Sequence, residues 1–244
     1  MAQSLNIEIA DSVVEVFPQV EVLALRVSIS DQTRLAPTVS ALEVDILSIG
    51  QDLAEVEPIT GLPEISVWRE AYAKLGVKPS RYPSSIEALI RRTRKGQMTE
   101  IGIPVVDLYN RVSVIHRVPM GAYDVSRLGD GPLVLRQADP EHDRFAPLGG
   151  DPAGFPLNPD LVVYAQGSDI LCWGFNTRDS ALSAVEQGST DIVFFSETPV
   201  SNGVAAASEA LSHLSQSIAE VGGRAGPVMA FSAAAPRGTI LPVV

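Results

Sequence analysis

The chain has 244 residues, 45% apolar and 19% charged, with a formal net charge of −11 and a single cysteine, Cys172. These proportions exclude global disorder and support one large α/β or α+β core, while the acidity excludes a protein that coats nucleic acid by charge alone. A lone cysteine rules out an internal disulfide, and no run approaches the roughly 18 apolar residues of a membrane span, so a cytoplasmic protein without a membrane segment is expected.

Glu8 and Asp11 interrupt any signal-peptide pattern near the N-terminus. Residues 20–29 alternate apolar and polar side chains and predict a strand. Residues 38–53 keep a helical period through Val39, Leu42, Ile46 and Ile49. A second helix is predicted over 64–75, where Ile65, Trp68, Tyr72 and Leu75 share a face and Gly76 ends it. After a loop with two prolines, Ser84 and Glu87 form a capping box in which each is expected to reach the other's amide. That helix ends on Arg91, Arg92, Arg94 and Lys95, which complement its dipole. Residues 69–95 hold eight of the eighteen Lys and Arg residues against only Glu70 and Glu87, so the segment reads either as a local nucleic-acid-facing patch or as solvated helices.

The stretch 103–124 is the centre of the chain. Val105, Leu108, Tyr109, Val112 and Ile115 mark one apolar helix face, and Pro104 suits the first turn. Asp107, Asn110 and Arg111 fall on the polar side, with Asp107 and Arg111 expected as a solvated pair. Pro119 is expected to end the helix, and Gly121 to open a tight turn into Ala122-Tyr123-Asp124. Beyond it, a strand is predicted over 133–136, a long Pro-, Gly- and Asp-rich loop over 139–160, and a hairpin of strands 161–165 and 169–175. Cys172 lies among Ile170, Leu171 and Trp173, which favours a buried thiol. Asn176, Thr177 and Arg178 follow; a strand is predicted over 191–196 and a helix over 203–221, its stripe read as core packing or a dimer contact. With no repeat or linker, residues 1–244 read as one domain, with 224–244 a loosely ordered tail that is partly ordered through Val228–Phe231.

His116, His142 and His213 are scattered, so no metal is expected. Phosphate-loop, dinucleotide and Gly-x-Ser-x-Gly signatures are missing, and no cofactor is expected.

Two short signatures carry a resemblance. Pro104-Val105-Val106-Asp107-Leu108-Tyr109-Asn110 and Pro119-Met120-Gly121-Ala122-Tyr123-Asp124 resemble the paired "VVD-x-x-N" and "QP-x-H-A-F-D" motifs of one synthetase domain, at matching separation. This is the B-three/B-four editing domain of the β subunit of phenylalanyl-tRNA synthetase. Arg136 and Ala138 resemble its next strand, and the likeness covers roughly residues 60–200. It implies an α+β fold with a β-sheet core of that editing-domain type and packed helices, in a free-standing relative of the domain.

It also implies a partner, tRNA, and a small aminoacyl or amino-acid ligand whose ester water would cleave. In that reading Asn110 and Asp124 are the catalytic candidates, Asn110 orienting the acyl group and Asp124 holding an ammonium. Tyr109, Gly121, Tyr123, Arg136, Asn176, Thr177, Arg178 and Glu197 would bind the substrate, with Arg91, Arg92, Arg94 and Lys95 facing tRNA. On their own chemistry, Asp124 can equally cap the following turn, and Arg136 can pair with Asp124 or Asp139. Three positions depart from the family: Gly121 stands for His, Tyr109 for Thr, and the acid expected near Phe194 or Phe195 has Glu197 as its nearest match. Together they open the site to another amino acid or acylated ligand. Two further readings are a non-catalytic sensor that keeps the pocket and a partner-binding domain that uses helix 203–221.

Overall fold

The computed structural model describes residues 3–151 and 155–243. Two sheets and seven helices make an α+β fold. In chain order the elements are β1 (Leu5–Ile9), α1 (Asp11–Val16), β2 (Glu21–Ser28), α2 (Ala36–Ala41), α3 (Glu43–Ala54), α4 (Pro63–Lys74), α5 (Ser85–Arg94) and α6 (Pro104–His116). There follow β3 (Gly121–Asp124), β4 (Leu133–Gln137), β5 (Arg144–Phe145), β6 (Val162–Gln166), β7 (Asp169–Trp173), β8 (Arg178–Asp179) and β9 (Asp191–Thr198). The chain closes with α7 (Val204–Glu220), β10 (Arg224–Ala225), β11 (Met229–Ser232) and β12 (Arg237–Ile240). Among the described residues, no helix is long and apolar enough to cross a membrane.

The first sheet runs β12-β1-β4-β6-β7-β5, with β8 also on β7; the second runs β10-β2-β9-β3, with β11 also on β2. Residues 224–243, expected as a loose tail, instead supply three strands: β10 and β11 lie antiparallel on β2, and β12 on β1. Their backbone groups are paired in ladders, a contribution that apolar periodicity does not register. β1, α1 and β3 are further elements not anticipated.

β2 and β9 are buried along most of both faces. Leu23, Leu25 and Val27 of β2 join Ile192 and Phe194 of β9 in a core shared with α6 and α7. Val22, Ala24, Val193 and Phe195 point the other way, into a core shared with the first sheet and with Ile65, Trp68 and Tyr72 of α4. The stripe of α7 is core: Ala207, Leu211, Leu214 and Ile218 are all buried.

Several local expectations change in the fold. The helix expected over 38–53 is two helices, meeting at Leu42. Ser84 does cap α5 by accepting from the Glu87 amide at 3.3 Å, but Glu87 does not reach back. Its buried carboxylate is held by Arg69 and Arg91 at 3.0 and 2.7 Å. α6 ends at His116, before Pro119 can act, because Arg117 turns left-handed at φ 56°. Asp107 and Arg111 are not a solvated pair. Both are buried: Asp107 accepts from the amides of Ile101 and Gly102, and Arg111 reaches Glu43 at 3.0 Å. Gly121 opens a strand rather than a turn, paired with Phe195 across β9.

Arg26, only 1% exposed, sits on β2 and donates from Nε and Nη2 to both carboxylate oxygens of Asp191 on β9, at 2.8 and 2.6 Å. Asp191→Ala strands this buried guanidinium, so denaturant unfolding is expected to show a loss of about 3 kcal/mol. Adding Arg26→Met is expected to restore most of it.

Candidate functional site

Strand register gathers a row of side chains under one cavity of ≈ 240 Å³. Tyr164 on β6 pairs with Cys172 on β7, and Cys172 pairs with Asp179 on β8, so the three share one face of the first sheet. From the second sheet, alternation along β9 presents Phe195 and Glu197, and β3 presents Gly121 and Tyr123. α6 adds Val106, Tyr109 and Asn110, three and four residues apart on one face. α5 adds Ser85, Leu89 and Arg92.

The turn after β7 brings Asn176 back into the cavity. Gly174 and Phe175 both have positive φ, 64° and 59°, and the strain at Phe175 is held by its burial against Phe17 and Trp68. Tyr72 secures the turn by donating to the Gly174 carbonyl at 2.9 Å. Asn176 is therefore rigid. Its Oδ1 accepts from the Ser85 amide at 3.1 Å, and its Nδ2 donates to Glu197 Oε1 at 2.7 Å. The Tyr164 hydroxyl donates to the other Glu197 oxygen at 3.3 Å.

The cavity is electrostatically divided. Burial pushes the Glu197 carboxyl up to about 7, against the two hydrogen bonds that favour its ionised form. Burial likewise pushes Asp179 up to about 6, with the neighbouring Cys172 thiol working the other way. Neither carboxylate has an ion-pair partner among the described residues. Burial drives the Cys172 thiol well above its ordinary range, so it is an inert thiol at neutral pH. At the exposed rim, Arg92 and Arg178 make no ion pair among the described residues. The Asn110 side chain has no hydrogen-bond partner there either.

Of the residues singled out from sequence, Tyr109, Asn110, Gly121 and Tyr123 line this cavity, and so do Asn176, Thr177, Arg178 and Glu197. Asp124 and Arg136 do not. Asp124 caps the turn after β3, accepting from the Ser126 amide at 2.9 Å, and takes the Ser189 hydroxyl on its other oxygen at 2.5 Å. Lying outside the cavity lining, it is not placed to hold a substrate ammonium. Arg136 is committed to Asp143 at 2.6 and 2.8 Å, beside the Gly167 carbonyl. Of the four basic residues expected to face tRNA, only Arg92 reaches the cavity. Arg91 is spent on Glu87 and Arg94 on Glu57, while Lys95 is exposed and unpaired among the described residues.

Sequence reasoning missed Asp179, Tyr164 and Cys172 as cavity residues. The only available signal was strand alternation, and it cannot say that three separate strands set these residues side by side.

A family model described as the B3/4 domain matches residues 67–221. No curated protein matches the chain. The matched segment runs from within α4 to just past α7, and so contains every cavity residue named above.

Because both acids titrate higher in the folded chain than in the unfolded one, the folded state holds more protons between the ordinary carboxyl range and about 7. The stability they contribute is complete below that window and is lost as pH rises through about 6 and 7. Glu197→Gln is expected to flatten this loss by on the order of 1 kcal/mol in urea unfolding from acid to neutral pH. An unchanged pH slope would contradict the assignment.

Proposed function

Since the chain belongs to the B3/4 domain family, whose domain is found in the β subunit of phenylalanyl-tRNA synthetase, we propose that it hydrolyses mischarged aminoacyl-tRNA in trans. The observation that supports this most is the convergence of Asn110 and Gly121, from the two signatures, on one cavity whose rim arginines make no ion pair among the described residues.

The chemistry asks little of the protein. Water attacks the acyl carbonyl, the ester bond to the terminal ribose breaks, and the departing ribose oxygen takes up a proton. Positioning supplies most of the rate, and donors aimed at the developing oxyanion supply more. Asn110, whose amide has no hydrogen-bond partner among the described residues, orients the acyl group. Arg92 and Arg178 meet the phosphate of the terminal nucleotide with their planar forks. Lys78, Arg81 and Lys95 are exposed and without ion-pair partners among the described residues, and extend the cationic surface along the tRNA. Asp124 has no part in this mechanism, because it lies outside the cavity lining and caps the turn after β3 instead.

Gly121 favours a second reading, a ligand-binding protein without turnover. The resemblance expects an imidazole at that position, and glycine offers no side chain.

A panel of mischarged tRNAs presented to the purified chain separates the two. Faster ester cleavage than in buffer is expected for at least one; cleavage of none, with stabilisation by a free amino acid, marks the binding protein. Asn110→Ala is expected to lower kcat/KM by roughly tenfold or more while shifting stability by less than about 0.5 kcal/mol. Arg92→Ala with Arg178→Ala is expected to raise KM and to weaken its dependence on salt.

A further inference from the structure

Asp179 and Glu197 share the cavity, and no cation among the described residues balances them. The Ser85 hydroxyl oxygen, on the same lining, is buried without a hydrogen-bond partner. The backbone amide of the same residue donates to Asn176, which in turn donates to Glu197. Beyond the tyrosines and Asn176, much of the wall is apolar, formed by Leu89, Val106, Met120, Phe175, Val185 and Phe195. Carboxylates in an apolar sleeve suit a ligand that buries a flexible methylene stem and carries a positive charge at its tip.

We propose that the cavity takes an acyl group of the basic aliphatic class, a lysyl-type chain whose terminal ammonium sits between Asp179 and Glu197. This rests on the reading that the cavity receives an aminoacyl end. An ammonium supplies three donors and one positive charge, enough donors for both carboxylates and the Ser85 oxygen and enough charge to neutralise one of the two acids. A phenol supplies one donor and no charge.

The groups facing the two acids do not compete for that charge. Tyr72 from α4, Tyr109 from α6, Tyr123 from β3, Tyr164 from β6 and Cys172 from β7 are all pushed upward by burial and stay neutral. The cations on this lining, Arg92 of α5 and Arg178 of β8, are at the exposed rim. Binding of the ammonium is therefore expected to strengthen as pH rises through the range where the acids ionise, and to fade below it.

The test uses 3′-aminoacylamino-3′-deoxyadenosine 5′-phosphates, whose amide link resists hydrolysis, carrying lysyl, norleucyl or tyrosyl groups. Calorimetry with the whole chain is expected to show the lysyl probe binding at least about tenfold more tightly than the norleucyl probe above the acids' titration range, and about equally below it. Asp179→Asn and Glu197→Gln are each expected to shrink that ratio. Norleucyl or tyrosyl binding as tight as lysyl overturns the proposal without recourse to any variant. A parallel cleavage assay on the matching aminoacyl-tRNAs keeps the two inferences apart. Cleavage with no lysyl preference overturns this one alone, tight lysyl binding with no cleavage overturns the hydrolase alone, and neither binding nor cleavage overturns both.

Discussion

The rest of the molecule depends on one strand that is buried on both faces. β9 sends Ile192 and Phe194 into the core beneath α6 and α7, and Val193, Phe195 and Glu197 toward the first sheet. Because side chains along a strand alternate strictly, a slip of one residue in its pairing with β2 would exchange the two sets. Glu197 would then leave the cavity, and Phe194 would lose its edge contact with Tyr109. The Arg26–Asp191 pair, joining β2 to the first residue of β9, holds that register at one end.

The cavity exists because the same register places polar groups where an ordinary core would have apolar ones. Glu197 is 3% exposed, yet faces Asn176 and Tyr164 rather than a cation. A carboxylate so placed is destabilising when ionised, and the fold tolerates it through two hydrogen bonds and a raised proton affinity. Such a group stores a preference for whatever positive or donating ligand enters. The strained Gly174-Phe175 turn, secured by Tyr72, keeps Asn176 fixed for that contact.

Helix-forming stretches were the most legible part of the sequence. Apolar spacing, Pro104, Ser84 and Gly76 marked α4, α5, α6 and α7 to within a few residues, because capping and periodicity are local physics. The short edge strands β10 and β12 were illegible, and β11 showed only as order over 228–231, since two to four residues carry no period and their pairing is with strands some two hundred positions earlier. The departures within 103–124 have the same origin. Asp107 is a good surface residue by spacing, but the loop before α6 folds back and presents two amides to it.

By itself the sequence determined the α+β class, the family, and eight of the residues that line the cavity, because short motifs and local periodicity survive in one dimension. Only the tertiary structure decided that Asp124 and Arg136 are spent on Ser126, Ser189 and Asp143, and that Asp179 and Glu197 line one cavity with no ion-pair partner among the described residues. Whether a polar side chain is free or satisfied depends on partners brought from distant strands, and neither composition nor spacing contains that distance.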